Sequence, residues 1–241
     1  MAVPRTVRRA LDDRSIDGRT CLEAGAGAGN ATEGLLEAGA ERVYAVTIDP
    51  DHAADVRDRF ADDGDRVVVL HADLRSIPIP DDAVGFVTAH ALFNVLEPAD
   101  ATTIACELTR VAESDAGLVV DDYKPLPEEA EIRRLFAAEN AAAELATGRP
   151  ELTFYPAGGL QRLFEGFGWE HDRTRTILDP VPWTSDHVEA HAEIARSHAA
   201  TLPTKLEASI TEYVDSLVAE IGSEDVGEMY SVAMSLPHEE G

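Results

Sequence analysis

Leu22-Glu23-Ala24-Gly25-Ala26-Gly27-Ala28-Gly29-Asn30 is the stretch whose reading decides the fold. A short apolar run, Thr20–Glu23, leads into it. A helical pattern over Asn30–Ala38 leads out, with Gly39 at the stop. This is the pattern of a buried strand turning sharply into a helix, with Asn30 or Thr32 near the N-cap. Glycines at alternate positions strip the turn of side chains, so a ligand can come against the backbone. Glu23 stands where the strand ends. Val43-Tyr44-Ala45-Val46-Thr47-Ile48-Asp49 repeats the arrangement, a second strand closing on an acid. Parallel strands that end in acids beside a glycine turn make a nucleotide-type pocket at their carboxyl ends.

Spacing narrows the nucleotide. A dinucleotide fingerprint needs Gly or Ala at the last position of G-x-G-x-x-G. Counting from Gly25 puts Asn30 there, and counting from Gly27 puts Thr32 there. Neither register fits, so an NAD-dependent oxidoreductase ranks last among the readings.

Outward from this core, apolar runs alternate with helical patterns. Arg42–Asp49 is the second strand and Pro50–Asp62 its helix, with Pro50 suited to a first turn. Arg66–Ala72 is a third strand whose Val-Val-Val-Leu run predicts burial on both faces. The loop Asp73–Pro80 follows, then strand four at Val84–His90, a helix at Ala99–Glu113 and strand five at Gly117–Asp122. Further on come helices at Pro127–Thr147 and Pro156–Phe167, and strand six at Trp169–Leu178. Helices near His187–His198 and Lys205–Ile221 precede strand seven at Glu228–Leu236. The expectation is an α/β fold, a doubly wound, mostly parallel seven-stranded sheet of Rossmann-like type. The stretch between strands six and seven is larger than a hairpin needs. Its helices, about 179–226, read as a cap over the substrate. No long linker divides the chain, so residues 1–241 read as one domain, with a cofactor-binding half at 1–125 and a substrate-side half at 126–241.

Composition sets outer bounds. The chain carries 46 acidic against 20 basic residues, a net charge of −26, and only Lys124 and Lys205 among the bases are lysines. Acids run along the whole chain rather than in a tail. That composition reads either as an acidic surface that repels nucleic acid or as a halophilic protein, and the second is preferred, since at ~1 M salt the Debye length is ~3 Å and self-repulsion is screened. No stretch approaches the ~18–20 apolar residues of a membrane span. Met1–Asp13 is Arg-bearing, lacks an apolar signal region and reads as an amphipathic leading helix. The expected location is cytoplasmic. Cys21 and Cys106 are isolated and read as core thiols. His187 and His191 are four apart on a helix but have no third ligand in view, so they read as a solvated face and no metal is expected.

The E-x-G-x-G-x-G pattern at Glu23–Gly29 resembles motif I of class I S-adenosylmethionine-dependent methyltransferases. The resemblance covers residues 15–125 at motif level and the remainder by strand order. It implies S-adenosyl-L-methionine as cofactor and an antiparallel last strand lying between strands five and six. It also implies roles for individual residues. Gly25, Gly27 and Gly29 would pass under the amino-acid part of the cofactor. Glu23 would orient its ammonium, and Asp49 would accept the ribose hydroxyls, although Asp49 before Pro50 also suits a helix cap. Asp73 would receive the adenine amino group, with Leu74 packing on the ring. Two residues before Val87, within strand four, Gly85 stands where the family usually has an acid. By the same resemblance, His90 at that strand's end falls beside the transferring methyl, as a base, a substrate ligand or a polar wall. Tyr123, Lys124, Tyr155 and Trp183 read as substrate contacts, though an aromatic at such a place is more often packing.

The leading function is methyl transfer to a small-molecule acceptor. The Asn- or Asp-Pro-Pro-Tyr motif of nucleic-acid amino methylation is missing after strand four, and bases cluster only at Arg5, Arg8 and Arg9. An RNA or protein methyltransferase is the alternative, so nucleic acid stays open as a partner. A non-catalytic S-adenosylmethionine-binding protein is the third reading, because the cofactor motifs are clearer than any catalytic residue.

Overall fold

The computed structural model describes residues 3–238. Seven strands form one sheet: β1 Thr20–Ala24, β2 Arg42–Thr47, β3 Val67–His71, β4 Val84–His90, β5 Ala112–Tyr123, β6 Glu170–Leu178 and β9 Met229–Ser235. Their order is β3-β2-β1-β4-β5-β9-β6. All pairs from β3 to β5 are parallel, while β9 runs antiparallel to both β5 and β6. The Rossmann-like sheet and the place of the antiparallel strand are as expected. Strand order reverses between β1 and β4, and the crevice at such a reversal is where open α/β sheets bind ligands.

Alternation along the central strands builds two apolar layers. Leu22, Val87, Leu118 and Val120 face one side, where they meet Ile104 and Leu108 of α4 (Pro98–Val111) and Leu160 and Phe164 of α6 (Ala157–Glu165). Cys21, Phe86 and Val119 face the other, against Val7 and Leu11 of α1 (Arg5–Leu11) and Leu35 of α2 (Asn30–Glu37). Helix α1 falls within the expected leading helix, whose first two residues lie outside the described ones.

Some expectations need correction. The valines of β3 are half-buried, not buried on both faces, because β3 is the outermost strand and pairs only with β2. Helix α3 (Pro50–Arg59) ends short of Asp62, and a 3₁₀ segment, Ala61–Arg66, continues the chain. Strand β5 starts at Ala112, with a register shift opposite Val84–Phe86. Helix α5 spans Ile132–Thr147 and not Pro127–Thr147. Its first N–H groups, at Glu131 and Ile132, donate to the Glu224 carboxylate at 3.1 and 2.8 Å. That acid lies 92 residues further along the chain, so no local signal marks the true start. Cys106 is exposed. It sits two residues from both Ile104 and Leu108, on the face of α4 opposite its buried stripe.

The insertion between β6 and β9 holds β7 (Pro182–Trp183), α7 (Ser185–Ala199), α8 (Thr204–Ile221) and β8 (Glu224–Asp225), with β7 paired to β8. Helix α5 packs with α7 and α8 in one apolar cluster that includes Phe136, Trp183, Val188 and Leu217. The cap is therefore a three-helix unit, one helix more than the inserted segment supplies. The solvated-face reading of His191 fails there: its Nδ1 lies 2.8 Å from the fully buried Glu139 carboxylate, and its ring packs on Phe136. His187 instead closes a capping box with Thr184 at the start of α7. Among the described residues no group of three His, Cys, Asp or Glu could hold a metal ion, and no helix is long and apolar enough to cross a membrane.

Candidate active site

A cavity of about 850 Å³ lies at the carboxyl edge where β1 and β4 part. That is within the ~300–1,000 Å³ typical of small-molecule sites. Glu23, Gly25, Gly27, Asp49, Asp73, Leu74 and His90, picked out separately from the sequence, all line it. Ile48, Val95 and Ile194, three large apolar side chains left exposed, line it too. Apolar surface left open beside convergent polar groups marks a place where a ligand docks.

The glycine turn divides its labour. Gly25 has φ +76°, and a Cβ there would lie 2.7 Å from Leu92 Cδ1. Gly29, with φ +72°, is the N-cap of α2, and a Cβ there would meet Phe60 at 2.7 Å. Gly29 therefore serves the helix entry and does not line the cavity. Gly27 differs from both: no atom lies within 4 Å of a Cβ built on it. Its missing side chain leaves open space on the cavity wall.

Glu23 is 4% exposed. It accepts from the Thr32 N–H at 2.8 Å, the Ala31 N–H at 3.3 Å and the Thr32 hydroxyl. The acid thus caps α2 from outside, and Thr32 is its partner rather than the N-cap. Burial pushes its carboxyl pKa up, against the pull of those bonds. Asp49 caps α3, with Oδ1 accepting from the Asp51 and His52 N–H groups at 2.8 and 3.0 Å. These bonds, His52 first, hold its carboxyl below the usual range. Its Oδ2 has no bond among the described residues, so the cap leaves one oxygen for a ligand. Asp73 is held by Arg75, whose Nε and Nη2 reach Oδ2 at 3.0 and 2.6 Å. Arg75 also reaches Asp100, and all three line the cavity. The guanidinium thus occupies the carboxylate that the family resemblance gives to an adenine amino group.

At the other end, His90 closes β4 and Asp121 is its register partner on β5. His90 Nδ1 lies 3.0 Å from Asp121 Oδ2. Asp121 is 1% exposed, and its Oδ1 has no partner. The next residue, Ala91, has φ +50°, a strained conformation for a side-chain-bearing residue. Asp122, fully buried, accepts from the Asn94 and Tyr123 N–H groups at 2.9 and 2.8 Å. Burial nevertheless pushes its carboxyl up to about 7. Glu151 and Ile194 close the cavity from the cap side.

None of Tyr123, Lys124, Tyr155 and Trp183 lines this cavity. Lys124 is paired with Glu228 at 2.6 Å. Trp183 donates to Val226 O and packs on Tyr123 and Phe136 inside the cap. Tyr155 packs against the main core with its hydroxyl buried and unpartnered. Sequence reasoning missed Arg75, Asp100, Asp121 and Glu151. The one available signal was the acid pair Asp121-Asp122 closing the apolar run of β5. The other three come from separate segments that only folding brings together.

Comparison with known proteins gives this geometry a context. Residues 21–115 match the family described as a methyltransferase domain. A stretch of 71 residues, 29% of this chain, is 44% identical to a probable ribosomal RNA small subunit methyltransferase A of Haloarcula marismortui. The match spans a quarter of that relative's length. Among solved structures, geranyl diphosphate C-methyltransferase of Streptomyces coelicolor is 14% identical, with a TM-score of 0.62 over 95% of this chain and 77% of its own. It was solved with S-adenosyl-L-homocysteine, Mg2+ and geranyl diphosphate. The mycolic acid cyclopropane synthase CmaA1, also solved with S-adenosylhomocysteine, is 14% identical, with a TM-score of 0.62 over 95% of this chain and 82% of its own. Residues 21–115 thus match a methyltransferase domain, and the chain as a whole has the Rossmann-like fold of the class I methyltransferases.

Proposed function

We propose that this chain transfers a methyl group from S-adenosyl-L-methionine to a small-molecule acceptor held between the glycine turn and the helical cap. The observation that carries the reading is the single cavity with motif residues at one end and the cap's Glu151 and Ile194 at the other. The residues fit the cofactor. Gly27 leaves its side of the turn open, Asp49 keeps one carboxylate oxygen free for ribose hydroxyls, and Leu74 offers an apolar surface for the adenine. The cofactor supplies a methyl on a sulfonium, with a thioether as leaving group. The chain's work is to hold the acceptor in line and keep water out, a contribution of ~7–11 kcal/mol in well-oriented systems. Leu92, Val95, Leu96 and Ile194 exclude water, and His90 presents the polar group nearest the acceptor end.

Charge narrows the acceptor. Glu23, Asp49, Asp73, Asp100 and Glu151 line the cavity against a single arginine, Arg75. This lining suits a cationic cofactor and a neutral or cationic acceptor. It disfavours a diphosphate such as the ligand of the Streptomyces structure. The match to a ribosomal RNA methyltransferase favours a second reading, RNA methylation. The five carboxylates that line the cavity against one arginine oppose it. The acid-rich composition and that archaeal match together support a salt-rich native environment.

The test is calorimetric titration of S-adenosylmethionine and S-adenosylhomocysteine in multimolar KCl. Methyl transfer from labelled donor to cell extract divided into small molecules, RNA and protein then follows. Binding with label in the small-molecule fraction is expected. Label in RNA would establish the second reading, and binding with no transfer to any fraction would favour a sensor.

A further inference from the structure

We propose that Asp121 is a positioning residue that holds His90 as the proton acceptor for an O–H or N–H acceptor group, an inference that rests on the transferase reading above. The two side chains come from neighbouring parallel strands in direct register, so the sheet itself fixes their approach. Asp121 spends one oxygen on His90 Nδ1 at 3.0 Å, and its other oxygen has no partner while the side chain is 1% exposed. A buried carboxylate with one bond is costly, and a buried ion pair is weak support for stability. The β4–β5 ladder already joins these strands through five further register pairs, so it does not need this contact to hold together. The arrangement instead has a chemical consequence. A carboxylate can only accept, so Nδ1 must carry the hydrogen. In the neutral ring the lone pair then sits on Nε2. His90 lines the cavity, and Nε2 has no hydrogen-bond partner among the described residues.

The titratable groups facing His90 are Asp121 and Asp122 from β5 and Glu23 from β1. Burial alone would push the imidazole pKa down. The Asp121 hydrogen bond and these carboxylates outweigh it, and the net direction is up. The ring is therefore a stronger base than an ordinary histidine. The step balances simply. The acceptor oxygen or nitrogen forms a bond to the methyl carbon as the carbon–sulfur bond breaks, with its electron pair left on sulfur. The acceptor's proton passes to Nε2, and the imidazolium is held against Asp121 until water removes the proton. The products are the methylated acceptor and S-adenosylhomocysteine.

The experiment does not need the acceptor. The protein is labelled with ¹⁵N-histidine, and long-range ¹H–¹⁵N spectra are recorded across pH, with His90→Gln assigning the signal. Wild type should show neutral His90 as the Nδ1–H tautomer. In Asp121→Asn the imidazole should lose that tautomer, and its proton affinity should fall about tenfold or more, as expected on removing a charge at contact distance. A wild-type Nε2–H tautomer would overturn the proposal, as would a titration unchanged in Asp121→Asn. Should that variant not fold, the wild-type tautomer alone decides. Calorimetry with S-adenosylhomocysteine on wild type separates the two readings: a correct tautomer without cofactor binding sinks the transferase reading, and binding with the wrong tautomer sinks only this one.

Discussion

Gly27 and Gly25 sit two residues apart on one turn, yet a methyl group should act on them in opposite ways. At Gly27 a Cβ meets nothing within 4 Å, and the backbone is not in the left-handed region. Gly27→Ala should therefore fold normally and gain about 0.4–1 kcal/mol through a less flexible unfolded chain. For a domain of this size that raises Tm by roughly 1–4 °C. The same methyl occupies space on the cavity wall. Overfilling a close-packed contact costs ~1–3 kcal/mol, so S-adenosylhomocysteine affinity should drop about 5- to 150-fold, with Gly27→Val at the weak end. At Gly25, φ +76° and a Leu92 contact at 2.7 Å make Ala destabilising by ~1–2 kcal/mol, a Tm loss of roughly 2–8 °C. Thermal unfolding and calorimetry on the three variants measure both quantities. If Gly27→Val bound the cofactor like wild type, the turn would not be its seat, and the functional reading of the motif would fail.

Three further outcomes are expected. Burial holds Asp122 protonated up to about 7, against an ordinary 3.8, so the folded chain keeps a proton that the unfolded chain loses between those values. Its stabilising contribution must then fall as pH rises from about 4 to about 7. The Tm of wild type measured against Asp122→Asn should fall across that window, and a pH-independent offset would contradict the argument. Glu23→Ala strands the three donors at the start of α2 and should cost about 2–4 kcal/mol, or roughly 4–16 °C in Tm; a loss below one degree would show that the cap is dispensable. A chromogenic thiol reagent should titrate one cysteine in the native protein, exposed Cys106. Cys21, whose thiol burial raises its pKa to about 12, should react only after unfolding.

Local pattern carried most of the candidate site within residues 1–125. Glu23, Asp49 and Asp73 each close a strand or follow it, so periodicity alone puts them at one sheet edge, and the reversal between β1 and β4 gathers them. What stayed illegible depends on partners far along the chain. Asp49 as helix cap and Asp49 as ligand acceptor look identical in sequence, because one carboxylate has two oxygens. Arg75 looks like any loop arginine until Asp73 and Asp100 are seen beside it. The aromatic residues of the second half misled for a related reason. An aromatic near a strand end signals either a substrate wall or cap packing, and for Trp183 only its contacts with Phe136 and Tyr123 separate the two. The exposed face of β3 and the late start of α5 were set by sheet position and by Glu224, neither of which leaves a local trace.

The inserted cap segment leaves the sheet at Leu178 and returns at Met229, and those two residues are partners on adjacent antiparallel strands. Entry and exit are thus side by side, the geometry that tolerates insertion best. Changes on its solvent-facing side leave β1, β2 and β4 undisturbed, whereas Glu224 and the apolar faces of α7 and α8 must stay, because they cap and cover α5. On the proposed reading, a laboratory library at the cavity-facing positions of residues 179–228, Ile194 first, would alter the acceptor while the sheet edge that holds Glu23, Asp49 and Asp73 stays unchanged.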